Sequence, residues 1–302
     1  MITRRSILLS SAAALRAATG QEVGFCIGTY GMKSLPTEAA LRLIATTGYD
    51  GVELALMPGW PTDPATMSPA DRSRLRAMLR EFRLQVPSLN DQLPITENSR
   101  SRNIERLRLA ADLAHDLAPK APPLIETMLG GRTSDWYHSR GFMADELRAW
   151  AELAEQRDVT VCFKPHAGHA IHNVARALEM LHMVSSQRLR VCYDYCHMFV
   201  ARESLENSLR QLLPVTGFIT LKDARWTETG HEFLLPGDGD TDYKSYFRLL
   251  KELGYRRWVA VEVSAMVFRK PGYDPHEAAR KTYDAMAPFW SNAGLKRRAR
   301  RS

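Results

Sequence analysis

Two short apolar runs each carry an acid where a buried strand would hold none. Val191-Cys192-Tyr193-Asp194-Tyr195-Cys196-His197 delivers a carboxylate, with an imidazole three residues later. Trp258-Val259-Ala260-Val261-Glu262-Val263-Ser264 delivers a second carboxylate near its end. Acids seldom enter buried strands unless something pairs with them. Similar runs bring Glu53, Glu126, Lys164-Pro165-His166 and Lys222-Asp223, with Arg225 just beyond. Each alone has a plain structural reading. Lys222 and Asp223 make a rim ion pair, Glu53 accepts bonds from a loop, and a lone buried histidine is a satisfied core group. Taken together they are too polar for a packed core and mark a functional site.

The residue types define the chemistry. Carboxylate oxygens with imidazole nitrogens suit a divalent ion such as Mn, Mg, Co or Zn. An ion gripping adjacent oxygens of a sugar stabilises an enediolate and acidifies the neighbouring C–H. A carboxylate or lysine beside it then moves the proton. Lys164 opens another route. It supplies positive charge itself, or, once buried, loses its proton more easily and acts as a base. Cys26, Cys162, Cys192 and Cys196 fall in apolar runs with no CxxC pair and read as small buried hydrophobes.

The elements that must position these groups follow from periodicity. Strand-like runs lie at 24–30, 51–56, 85–89, 123–129, 159–165, 190–195, 217–222 and 258–264. They are short, apolar and rich in Val, Ile, Leu and Phe, as strands buried on both faces are. Helical spacing follows each, near 37–47, 69–83, 101–117, 144–157, 173–184, 203–213, 242–253 and 275–289. Ser68-Pro69-Ala70-Asp71 is a capping box with proline in the first turn. Gly48 and Gly254 stand where helices stop. Eight strands alternating with eight helices predict a single-domain α/β fold, a closed (β/α)8 TIM barrel. An open doubly wound sheet is the alternative, but no G-x-G-x-x-G follows the first strand. In a barrel the site lies at the C-terminal strand ends. Alternation along strand six turns Cys192, Asp194 and Cys196 inward, and Tyr193 and Tyr195 toward the helices.

At 45% hydrophobic and 25% charged, 302 residues suffice for one large core. The net charge of +7 belongs to the two ends. Arg4, Arg5 and Arg16 precede residue 21, and Lys296, Arg297, Arg298, Arg300 and Arg301 close the chain. Removing these eight from 41 basic residues leaves 33 against 34 acids. A body of that charge argues against a nucleic-acid partner. The end, 291–302, reads as a basic disordered tail. Thr3-Arg4-Arg5-Ser6-Ile7-Leu8-Leu9 resembles a twin-arginine export signal within 1–22, which implies a periplasmic or otherwise exported protein. No apolar run of membrane-spanning length occurs elsewhere.

Residues 23–290 resemble the sugar phosphate isomerase/epimerase group of xylose isomerase-like TIM barrels. The carrying segments are Gly48-Tyr49-Asp50-Gly51-Val52-Glu53-Leu54, Phe163-Lys164-Pro165-His166-Ala167-Gly168 and Tyr193-Asp194-Tyr195-Cys196-His197. Thr220-Leu221-Lys222-Asp223-Ala224, Leu235-Pro236-Gly237-Asp238-Gly239-Asp240 and Val261-Glu262-Val263 complete them. The resemblance implies Asp194 and Glu262 as metal ligands and His197 as a ligand for metal or substrate. It also implies proton exchange by Glu262. Two positions depart: Lys164 stands where the group has a strand-five glutamate, and Thr220 where it has a strand-seven histidine.

The leading expectation is an isomerase or epimerase of a sugar or polyol, working by proton transfer next to a carbonyl. Glu262, Lys164 and His166 are the expected catalytic groups. Glu53, Glu126, His197, Lys222, Asp223 and Arg225 are expected to bind substrate. A divalent ion would sit on Asp194, Glu262 and His197. A keto-sugar glycoside lyase or hydrolase, and a non-catalytic carbohydrate-binding barrel, are the alternatives.

Overall fold

Runs rich in β-branched and aromatic residues bury both faces only when helices cover one side and a closed sheet the other. The computed structural model, which describes residues 21–298, resolves that demand as a barrel. Its parallel strands are β1 (Glu22–Gly28), β2 (Gly51–Ala55), β3 (Gln85–Gln92), β4 (Leu124–Met128), β5 (Val161–Lys164), β6 (Leu189–Asp194) and β7 (Thr216–Leu221). After the hairpin β8 (Asp223–Thr227) and β9 (Gly230–Leu234), β10 (Trp258–Val261) is the eighth stave. It closes the ring by pairing with both β7 and β1, with Gly24 opposite Trp258 and Ile27 opposite Val261.

The helical layer comprises α1 (Thr37–Thr47), α2 (Pro69–Glu81), α3 (Arg100–Leu117), α4 (Trp136–Gln156), α5 (Val174–Val184), a short α6 (Tyr195–Val200) and α7 (Leu205–Leu212). It continues with α8 (Tyr243–Glu252), α9 (Ala265–Phe268), α10 (Pro275–Met286) and α11 (Pro288–Asn292). The expected capping box forms in full, Ser68 accepting from the Asp71 amide and Asp71 accepting from Ser68. Gly48 ends α1 at φ 117°, a left-handed turn that suits glycine. Helix α4 begins at Trp136, eight residues before the predicted start. Gly141 interrupts its pattern, but the fully buried Trp136 anchors the extra turns.

The barrel interior is layered. Cys26, Cys162, Cys192, Phe218 and Ala260 form an apolar floor. Above it stand Glu53, Glu126, Lys164, Asp194 and Glu262. Tyr193 turns outward, as alternation requires, and hydrogen-bonds Ser208 of α7 at 2.8 Å.

The basic tail is corrected in its first part. Residues up to 298 are ordered, and β11 (Lys296–Arg297) pairs with β1 at the barrel floor. Arg297 grips Asp50 with two nitrogens, at 2.7 and 2.8 Å, and donates to the Gly48 carbonyl at 2.9 Å. The charge run that reads as solvated supplies the counter-ion of a buried aspartate. The expected export signal lies on residues outside those described. Among the described residues no helix is long and apolar enough to cross a membrane.

Candidate active site

Six strand ends and one helix turn converge on two ammonium groups. Lys222 follows β7. Its Nζ lies 2.5 Å from Asp194 Oδ2, 3.0 Å from Glu262 Oε1 and 3.0 Å from His197 Nε2. Lys164, at the end of β5, pairs with Glu262 Oε2, lies 2.9 Å from Glu126 Oε1 and 3.7 Å from Asp194 Oδ2. Thr220 donates to Asp194 Oδ2 at 3.1 Å, and Asp194 Oδ1 caps α6 through the Cys196 amide. Asn90 of β3 donates to Glu126 Oε2 at 3.1 Å. All of these carboxyl groups are buried except Glu262, whose side chain is 12% exposed at the mouth.

Burial alone would raise the Glu262 pKa, but Lys164 and Lys222 outweigh it and hold the carboxyl well below the usual range. Burial likewise works against the lysine charges. Glu126 and Glu262 hold Lys164 above its ordinary value, and Asp194 and Glu262 hold Lys222 above it. Glu53, deeper in the barrel, is pushed well up by burial and then by Glu126. Its Oε1 has no hydrogen-bond partner.

His197 is buried in α6, and His166 follows β5. Their rings lie 3.8 Å apart, with His169 stacked on His166 at 4.1 Å. Burial, then His169 and Lys222, lower the His166 pKa to about 3. Burial, then Lys222, lowers that of His197 well below the usual value. Both rings are neutral near pH 7. A neutral imidazole has one in-plane lone pair. His197 therefore accepts from only one of the two donors that face it, Lys222 at Nε2 or the Ala167 amide 3.2 Å from Nδ1. With so low a pKa, His166 is a weak base, and hydroxyl orientation suits it better than proton abstraction.

Two expected residues stand elsewhere. Asp223 neighbours Lys222 in sequence but points the other way. It is fully buried and accepts from the amides of Ala224, Gly237 and Thr241 at 3.0, 2.9 and 3.1 Å. It thereby anchors the Pro-Gly-Asp-Gly loop. A Cβ on Gly239 would lie 2.5 Å from its Oδ1, so that glycine is fixed by contact. Arg225 leaves the mouth for Glu232, 3.2 Å away, and the Asp238 carbonyl. Cys196 turns under the hairpin and donates to the Lys222 carbonyl at 2.6 Å, rather than lining the interior.

The hairpin covers one side of the site. Phe233 of β9 presents its ring 5.1 Å from Lys222 Nζ and 5.0 Å from the His197 ring. Tyr30 stacks on Trp60 and meets Phe268 edge-on. Beside Tyr30 lies a cavity of about 10 Å³, lined also by Asn90, Gln92, Glu126, Lys164 and Glu262. It has room for one water. The much larger hollow of about 740 Å³ lies outside the barrel against α1 and α10, remote from these groups.

The xylose isomerase-like TIM barrel family matches residues 41–289 of this sequence. The chain belongs to that family. Within it, the chain is 22% identical over 275 residues to fructoselysine 3-epimerase of Escherichia coli O157:H7, covering 86% of this chain and 97% of that protein. It is 22% identical over 247 residues to inosose dehydratase of Serratia proteamaculans strain 568, covering 72% and 79%. A solved structure, that of the IOLI protein with a bound zinc atom, superposes with a TM-score of 0.70 at 17% identity, covering 89% of this chain and all of that one.

The donors here do not fit a divalent ion. Asp194, Glu262 and His197 meet as expected, but around the Lys222 ammonium. Lys164 and Thr220 supply no glutamate and no imidazole. Among the described residues no group of three or more His, Cys, Asp or Glu is arranged to hold a metal. In this structure Asp194 and Glu262 make ion pairs, and His197 a hydrogen bond, with the Lys222 ammonium.

Proposed function

We propose that this barrel is an isomerase or epimerase of a keto-sugar or related polyol, and that Glu262 moves the proton beside the carbonyl. The observation that carries this reading is one carboxylate at the mouth, held between two ammonium groups. In that state Glu262 is a weak base. A substrate carbonyl entering the mouth competes for the N–H groups of Lys164 and Lys222. Each ammonium that turns to the substrate oxygen leaves Glu262 more basic. The same ammonium then stabilises the negative charge that develops on that oxygen as the C–H bond breaks. Base and electrophile are thus activated by one exchange of partners. Lys164 is the proton donor on return, His197, His166 and Glu126 orient hydroxyls, and Glu53 stays protonated behind them. The aromatic pair Tyr30 and Trp60 offers an apolar wall for a sugar ring.

A panel of keto-sugars and inososes incubated in heavy water tests this. Deuterium entering the carbon next to the carbonyl, with an isomer or epimer as product, supports the reading. No exchange with any member sinks it.

Elimination of water is the second reading, favoured by the similarity to inosose dehydratase. It begins with the same proton removal and ends with Lys164 protonating a departing hydroxyl. Loss of water from the product separates the two. An exported location is a further proposal, supported by Arg4-Arg5 and the apolar stretch behind them. Cell fractionation, with mass analysis of the mature N-terminus, tests it.

A further inference from the structure

We infer that the Lys222 ammonium is the electrophile of this mouth and that the site works without a divalent ion. The inference deepens the proton-transfer reading and rests on it for the reaction class alone.

Three observations carry it. First, an ammonium has three N–H bonds, and Lys222 has three acceptors: Asp194 Oδ2, Glu262 Oε1 and His197 Nε2, at 2.5, 3.0 and 3.0 Å. These are the side chains an ion would need, and their inner atoms all face Nζ. Second, a second ammonium is close by. Lys164 pairs with the other oxygen of Glu262 and lies 3.7 Å from the same Asp194 oxygen. A doubly charged ion among these carboxylates would face two positive charges at short range in a dry setting, where repulsion is poorly screened. Third, Lys222 is held in place from behind. Its carbonyl accepts from Tyr243 Oη at 3.1 Å and from Cys196, and Phe233 covers its charged end. The ammonium is a built part of the site rather than a side chain folded in from the rim.

Nζ can also release one of its partners. Because His197 has one lone pair and two donors, the Lys222–His197 bond is the easiest to give up. A substrate oxygen arriving beside Glu262 can take that N–H while the Asp194 pair stays intact.

The test is metal uptake by the full-length protein, read by elemental analysis and by Mn²⁺ electron paramagnetic resonance. The unsubstituted protein is expected to purify without a stoichiometric divalent metal and to take up none from added Mn²⁺. Lys222→Ala, which leaves Asp194, Glu262 and His197 facing each other, is expected to take up about one equivalent. If Lys222→Ala does not fold, Lys222→Ser serves. In the heavy-water assay, chelator leaves exchange by the unsubstituted protein unchanged, and Lys222→Ala loses about a hundredfold or more. One equivalent of Mn²⁺ on the unsubstituted protein, or a folded Lys222 variant that gains none, overturns the inference. The two readings fail separately. If the metal results hold and no substrate exchanges, only the reaction class falls. If exchange occurs but needs Mn²⁺, the reaction class stands and the role of Lys222 falls.

Discussion

Arg106 and Lys222 each sit between two carboxylate side chains, yet they are built to different ends. Arg106 of α3 reaches β3 from outside the barrel. Its Nε and Nη2 lie 2.9 and 2.8 Å from Asp91 Oδ2, its Nη1 meets Asp63 Oδ1 at 2.6 Å, and Nη2 also donates to the Leu56 carbonyl. Its planar fork has a partner for each of its three nitrogens. The mouth uses lysines, compact charges on flexible stems. It also leaves Glu53 Oε1 without a partner and gives His197 one donor too many. A satisfied arginine fork locks a structure. Lysines with competing acceptors can change partners as a reaction proceeds. Competing acceptors on flexible stems are what set this mouth apart from the Arg106 cluster.

Exchanging charge for shape on each side has the largest expected effects. Glu262→Gln keeps the size and removes the base. It should cost roughly 10²–10⁴ in deuterium exchange, about 3–5 kcal/mol of barrier, while the thermal midpoint moves little. Full turnover by this variant would move the base elsewhere. Arg106→Met should do the reverse. Leaving Asp91 buried and unpaired costs about 3–5 kcal/mol of stability by urea denaturation, with turnover per folded molecule within about twofold. A stable Arg106→Met protein would mean that the fork is not structural.

Acid also weakens the fold through the buried histidines. The folded-state pKa of His166 is lowered to about 3, and that of His197 is also lowered. Below the unfolded value of about 6.5, the unfolded chain takes up protons that the folded chain refuses. These two rings therefore stabilise the fold above that pH and lose their contribution as pH falls. Glu53, raised in the folded state, works in the opposite sense: it is protonated when folded and ionised when unfolded. Its contribution grows as pH falls toward the unfolded value. His169 and His172 are lowered by burial as well, so between about pH 6 and 5 the imidazoles outweigh the one raised carboxyl and stability falls as pH falls. Urea midpoints across that range measure it. Glu53→Gln removes the opposing group. It should raise stability at pH 7 on the order of 1 kcal/mol and steepen the loss of stability toward acid pH. An unchanged slope would show that Glu53 is ionised in the folded protein.

The barrel staves were legible because each is an apolar run whose ends coincide with turn residues. The meeting of Asp194, Glu262, Lys164 and Glu126 followed from placing their strand ends at one mouth of a barrel. Other features needed the third dimension. Lys222 and Asp223 are adjacent and of opposite charge, so they read as a pair, yet the backbone sends one into the mouth and the other under a loop. The hairpin β8–β9 escaped notice because its strands are short and mostly polar. Ala224-Arg225-Trp226 and Glu232-Phe233-Leu234 around Gly230 were the available signal. Asn90 lay one residue past the expected end of its strand. The basic tail misled for a physical reason: an arginine run is soluble by composition, and nothing local announces that Asp50 awaits it.

The pairing of β11 with β1 brings the last described segment beside the first, with Lys296 donating to the Gln21 carbonyl at 3.0 Å. Both lie beneath the barrel, across its full height from Lys222 and Glu262. A short peptide joining residues 298 and 21 would let the chain be reopened at a helical turn elsewhere, giving a circular permutant with the same staves. The same arrangement suits tethering: a bead or fusion partner fixed to that underside would hold the molecule with its mouth facing the solvent.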